Sequence, residues 1–242
     1  MHKNCLKAAD YLLSLVFPER CTFCDRVISV RERGVCRSCK NAVEYIHEPS
    51  CMKCGRKIED EREEYCHDCS KRKHVYDRGY SLMVYDETVS RSIYRFKYGN
   101  RRRYADFYAR QIWLHKGELI RQWNADVLIP VPLHRNRFKK RGYNQAQLIA
   151  QSLGRYMKIP VDSDCVYRVK DTKAMKLLSP AERQNNLKKA FIIRPNGVKY
   201  GTAILIDDIY TTGSTIDAIA TVLKEAGVGK VYFLSVSSGN GQ

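Results

Sequence analysis

Ile204-Leu205-Ile206-Asp207-Asp208-Ile209-Tyr210-Thr211-Thr212-Gly213-Ser214-Thr215 is the stretch on which the reading of this chain turns. Together with Ala203, its first residues form an unbroken apolar run, as expected of a strand buried on both faces. Two adjacent acids follow, then a hydroxyl-rich turn that opens a helix expected over 215–226. Thr211, Thr212, Ser214 and Thr215 offer hydroxyl donors, Gly213 permits close backbone approach, and the helix amino-terminus adds free amides and a positive dipole end. Together these make a cradle for one phosphate. Acids beside a phosphate are repulsive unless they face something else. A ribose diol, which donates hydrogen bonds to carboxylates, resolves the conflict.

Upstream, apolar β-type runs alternate with helical stretches. Strands are expected over 80–85, 125–130, 165–169, 191–193, 203–206 and 231–236, and helices over 90–123 and 145–157. Strand and helix in turn, with unbroken apolar strands, predict an α/β domain with a mostly parallel sheet covered on both faces. Ligands of such sheets sit at the carboxyl ends of strands. A second strand there runs through Val131 and Pro132 into a basic loop, Leu133-His134-Arg135-Asn136-Arg137-Phe138-Lys139-Lys140-Arg141. Its backbone amides and cations suit a magnesium-bound pyrophosphate, with Leu133, His134 and Arg135 as the candidates. The plainer reading of Arg137, Lys139, Lys140 and Arg141 is a solvated basic loop.

Eight of the ten cysteines lie between Cys21 and Cys69, in four CxxC pairs that recur every fifteen residues. Flanking residues lengthen the period to thirty: Cys21-Thr22-Phe23-Cys24-Asp25-Arg26-Val27-Ile28 resembles Cys51-Met52-Lys53-Cys54-Gly55-Arg56-Lys57-Ile58, and the other two pairs lack the Arg-x-Ile tail. Two zinc ribbons in series follow, one using Cys21, Cys24, Cys36 and Cys39, the other Cys51, Cys54, Cys66 and Cys69. Pairing of Cys21 and Cys24 with Cys51 and Cys54 is the alternative. Thiolate at every position leaves no open coordination site, so both zincs are expected to be structural, each supplying about 10–16 kcal/mol of apparent folding free energy. The chain thus divides into a short N-terminal helix (1–19), a double zinc ribbon (20–74) and a larger α/β domain (75–242). Zinc removal is expected to unfold the ribbons and leave phosphate binding largely intact.

The 242 residues include 43 basic and 26 acidic ones, a formal charge of +17, or about +13 with two zinc tetrathiolates counted. Phosphate-bearing partners are the natural expectation. Arg95, Lys97, Arg101, Arg102 and Arg103, interleaved with Tyr94, Phe96, Tyr98 and Tyr104, could track single-stranded DNA phosphates and stack bases. Read more plainly, the same stretch is an amphipathic helix whose aromatics are core. The apolar run 11–17 is too short to span a bilayer and lacks a cleavage site, which predicts a cytoplasmic protein with no transmembrane segment.

The run from Ile204 to Thr215 resembles the 5-phosphoribosyl-1-pyrophosphate (PRPP) motif of type I phosphoribosyltransferases. That resemblance implies their fold, with Asp207 and Asp208 on the ribose hydroxyls and Thr211 through Thr215 around the 5-phosphate. Taken with the paired four-cysteine units, Val131-Pro132-Leu133-His134, Arg141-Gly142-Tyr143-Asn144-Gln145, Glu182-Arg183 and Asn186-Leu187, the chain resembles the ComF family nearly end to end. In these late-competence proteins zinc ribbons precede a phosphoribosyltransferase-like domain. The resemblance implies a role in uptake and processing of transforming DNA, with PRPP, magnesium and single-stranded DNA as ligands and a competence helicase or translocase as partner. It also makes 172–183 a loop that closes over substrate, with Thr172 and Arg183 as catalytic candidates. Met175 stands there where many relatives carry Gln. No side chain announces itself as a general base, so turnover stays open, and a metabolic phosphoribosyltransferase is the alternative function.

Overall fold

A computed structural model of the protein describes residues 18–170, 190–194 and 198–239. The helix expected near the N-terminus therefore lies almost wholly outside the described residues, as do Thr172, Met175 and Arg183.

Four strands form one parallel sheet: β1 (Arg78–Val84), β2 (Val127–Pro130), β5 (Thr202–Tyr210) and β6 (Lys230–Ser238), in the order β1-β6-β5-β2. A separate antiparallel pair is made by β3 (Val166–Arg168) and β4 (Phe191–Ile193). Both outer edges of the sheet are covered. The Ile46 N–H donates to the Leu82 carbonyl (2.9 Å) and the Val84 N–H to that of Glu44 (3.0 Å) along β1. On β2, Leu128 exchanges backbone hydrogen bonds with Pro160 and Asp162.

The central strands are buried on both faces, as their unbroken apolar runs require. Leu128, Ile204, Ile206 and Leu234 face the layer made by α3 (Glu87–Tyr98), α4 (Tyr104–Arg121) and α6 (Gln145–Met157). Val127, Ile129, Leu205 and Phe233 face the layer made by α7 (Ser214–Glu225) and the β3/β4 pair.

The N-terminal ribbons, which carry the short helices α1 (Arg37–Ala42) and α2 (His67–Lys71), do not stand apart from this core. Cys21, Cys36 and Cys39 of the first pack in the α3/α4/α6 layer. Cys51, Cys54 and Cys66 of the second pack in the α7 layer. The ribbons thus straddle the sheet, one on each face. Phe23 meets Phe107 edge-on at 5.6 Å, and Arg95 and Tyr104 bond the carbonyls of Phe23 and Cys21. On the other side Gly55, at φ 66°, lets the knuckle touch β1 so closely that a Cβ there would stand 2.5 Å from the Gly79 carbonyl oxygen.

Two differences from the sequence expectation bear on the strand ends. Strand β5 does not end at Ile206 but continues through both acids to Tyr210, paired with β6. The basic loop after β2 is in part a helix, α5 (Arg135–Arg141): His134 caps it, its ring Nδ1 accepting from the Asn136 N–H at 3.3 Å, and Gly142 ends it at φ 75°.

Candidate functional site

The carboxyl ends of β5 and β2 lie side by side and set the frame. The Val131 N–H donates to the Ile206 carbonyl (2.9 Å), and the Asn144 side-chain amide donates to the Val131 carbonyl (3.0 Å), pinning the start of the basic segment beside the acids. Along β5 the side-chain alternation slips once at the acid pair. Ile204 and Ile206 face the α3/α4/α6 layer, whereas Tyr210 lies in the opposite layer with Tyr76 and Phe233.

Asp208 is buried and pairs with Lys97 of α3 at 3.1 Å, both side chains nearly enclosed. Asp207 is partly open, yet its carboxyl is pushed up to about 7, first by removal from water and second by the charge of Asp208. The Asp208 N–H, donating to Asp207 Oδ1 at 2.8 Å, and the cations Lys97 and Arg168 act in the other direction. An acid poised near neutrality beside a neutralised one is a place that gains from a cation or from hydroxyl donors.

The hydroxyl turn follows. Gly213 caps α7 at φ 72°, and any Cβ there would sit 2.7 Å from the Tyr210 hydroxyl and 3.0 Å from His74 Cε1. Thr212 and Ser214 hydroxyls share a 2.9 Å hydrogen bond. The turn is held from outside by the second ribbon. Arg56, almost fully buried, reaches the Thr211 carbonyl with one nitrogen and Asp68 with the other (2.9 Å). Arg72 donates to Ser214 Oγ at 3.3 Å and pairs with Asp217 at 3.5 Å. Asp217, in the first turn of α7, also accepts from the Val75 N–H and bonds His74 Nδ1, both at 2.8 Å. Through these contacts the turn and the second ribbon pack as one unit, which bears against the expectation that zinc removal leaves phosphate binding largely intact.

The basic residues proposed to follow nucleic acid are divided. Arg95 and Arg101 turn inward to the first knuckle, Arg101 meeting Asp25 at 2.6 Å. Lys97 belongs to Asp208. Arg102, exposed, lies over the Tyr143 ring at 4.8 Å, and Arg103 is exposed. Phe96 and Tyr104 are core, as the plainer reading has it. The outward face instead carries Tyr94 and Tyr98, rings 5.0 Å apart, with Lys140 and Arg141 of α5 over Tyr98 at 5.6 and 5.1 Å. Sequence reading missed that union because nothing local says that α5 folds back on α3.

The four sulfurs of Cys21, Cys24, Cys36 and Cys39 lie within 4.8 Å of one another, as do those of Cys51, Cys54, Cys66 and Cys69, which excludes interleaved pairing. A tetrahedron of about 2.3 Å zinc–thiolate bonds has edges of roughly 3.8 Å. Cys24 and Cys36 sulfurs are 3.8 Å apart and those of Cys54 and Cys66 3.7 Å. The four thiols of the second cluster share their protons, so that Cys51 is lowered only as Cys54 and Cys69 are raised, and a bound metal would take all four as thiolates. Both donor sets fit structural zinc.

Two four-cysteine ribbons clasping a parallel α/β domain define a zinc-ribbon protein. Residues 12–70 match the double zinc ribbon domain family. Competence protein F of Haemophilus influenzae is 33% identical over 220 residues, covering 89% of this chain and 95% of that one. DNA utilization protein YhgH of Escherichia coli is 32% identical over 150 residues, covering 61% and 66%. Among solved structures, a purine phosphoribosyltransferase from Pyrococcus horikoshii overlaps 55% of this chain and 73% of its own with a TM-score of 0.36 and 13% identity. The chain belongs to the ComF family of competence proteins. No helix among the described residues is long and apolar enough to cross a membrane.

Proposed function

We propose that the α/β domain has the type I phosphoribosyltransferase fold, that it binds PRPP, and that the protein serves uptake and processing of incoming single-stranded DNA. The observation that carries the PRPP reading is the juxtaposition at the end of β5: two acids, then a hydroxyl turn closed by Gly213 at the amino-terminus of α7. In this reading Asp207 and Asp208 accept hydrogen bonds from the ribose diol. Thr211, Thr212, Ser214 and Thr215, with the amides of α7, hold the 5-phosphate. The backbone of Leu133, His134 and Arg135 lies one strand away, beside the end of β2, for the pyrophosphate. Magnesium, when bound there, neutralises charge on the pyrophosphate and favours the ionised form of Asp207. Similarity to a competence protein and to a DNA utilization protein supports the cellular role, and the excess of cations supports a nucleic acid partner.

The test is a magnesium-dependent PRPP titration of the protein against Asp207→Asn/Asp208→Asn, with released pyrophosphate followed as single-stranded DNA or free nucleobases are added. Binding that vanishes in the variant supports the site. Pyrophosphate released only with a base present would make the protein a transferase, and no binding by the wild type would remove the reading altogether.

A further inference from the structure

Resting on that reading of the turn, we infer that the second zinc ribbon is a working part of the phosphate site, with Arg72 supplying the cation that a phosphate in the Thr211–Thr215 turn meets. The hydroxyls and amides of the turn are neutral donors, and on the α/β domain the nearest charge in the first turn of α7 is an acid, Asp217. An uncompensated carboxylate there would oppose a phosphate by several-fold in affinity or more. The ribbon answers it. Asp217 is buried and its two oxygens are taken by the Val75 N–H, His74 Nδ1 and Arg72, all from the segment that follows Cys69.

Arg72 does more than neutralise. It sits at the end of α2, three residues past the last cysteine of the second cluster, so its position is set by that cluster. One guanidinium nitrogen donates to Ser214 Oγ at 3.3 Å, a hydroxyl of the phosphate turn itself. The side chain keeps 34% of its surface open. A guanidinium has five N–H donors, and contacts to Ser214 and Asp217 leave further donors unmet among the described residues. A planar cation with spare donors, touching a hydroxyl that faces the ligand, is the group that recognises a phosphate in two-point fashion. Arg56 supports this from below: buried against Asp68 of α2, it holds the Thr211 carbonyl and so fixes where the turn begins. His74 adds an enclosed ring against Gly213, its Nε2 without a hydrogen-bond partner among the described residues.

The experiment titrates ribose 5-phosphate and, with magnesium, PRPP into full-length zinc-loaded wild type, Arg72→Gln and Arg72→Lys, with zinc content and melting temperature measured on each. Loss of one charge-assisted contact predicts that Arg72→Gln weakens both ligands by the same factor, roughly ten- to a hundredfold, with two zincs retained. Arg72→Lys should recover part of the loss, which a purely structural role for the guanidinium fork would not. Wild-type binding with Arg72→Gln within twofold of it would overturn this inference and leave the proposed PRPP site standing. A wild type that binds neither ligand would overturn the site, and this inference with it.

Discussion

The ionisation of Asp207 gives a prediction that can be worked through in numbers. Its folded carboxyl sits at about 7 against an ordinary value of 3.8. A carboxyl raised by folding favours the protonated form in the native state. Its contribution to stability is therefore full below the unfolded value and is lost as pH rises through the folded one. At about 1.36 kcal/mol per pH unit, the loss amounts to about 4 kcal/mol by pH 8, of which roughly half falls between pH 5.5 and 8. Asn cannot ionise, and its side-chain oxygen can still accept from the Asp208 N–H. The Asp207→Asn variant should therefore be more stable than wild type, by a margin that grows by about 2 kcal/mol across that window, since titrations remote from the acid pair cancel in the difference. For a chain of this size the growth is roughly 4–8 °C in melting temperature. Parallel thermal melts with zinc saturating, at half-unit steps of pH, read it directly. A margin independent of pH, or a variant less stable at pH 8, would refute the idea that this site stores an unfavourable charge for its ligand.

Lys97→Met leaves the nearly enclosed Asp208 carboxylate without its cation and should cost about 3 kcal/mol in chemical denaturation at neutral pH; a loss below 1 kcal/mol would show that the pair is worth little. Gly213→Ala meets both a positive φ and the Tyr210 hydroxyl and should lose about 2 kcal/mol of stability in thermal melts, where an unchanged melting point would mean that the turn relaxes freely. Cys54→Ser should retain one zinc of two and, by hydrogen exchange, lose protection in α7 before α4, because the second cluster packs with the former and the first with the latter. Equal loss in both helices would count against that division. If the outward face that joins Tyr94 and Tyr98 to α5 carries single-stranded DNA, Lys139→Ala/Lys140→Ala should lower the salt dependence of its affinity by a slope of about 1.4; an unchanged slope would show that α5 takes no part in binding it.

Much of this was readable in advance, for physical reasons that differ from residue to residue. Buried parallel strands announce themselves as apolar runs, so the strands expected over 203–206 and 125–130 were plain, the latter starting at Val127. The extension of β5 through Asp207 and Asp208 was not, because acids are poor strand formers and only pairing with β6 keeps them extended. Helix α5 has no apolar periodicity to detect; it exists because of a histidine cap and a left-handed glycine. The thirty-residue repeat identified the correct cysteine partners. The same repeat concealed the docking of the ribbon: Arg26 and Arg56 occupy matching places, yet Arg26 is exposed and Arg56 is buried against the hydroxyl turn. A local pattern reports what a residue is, whereas its partner across 155 positions is decided by tertiary packing.

The strand-like segment around Glu44 to Ile46, between the two ribbons, bears on how the protein avoids self-association. By pairing with the outer side of β1 it occupies backbone groups that would otherwise template a strand from another molecule. A fragment cut down to the α/β domain would bare that row, and with it the apolar surfaces under both knuckles. Such a fragment should form aggregates rather than a minimal binding domain, so the metal-bearing segment also acts as the built-in guard of the sheet's edge.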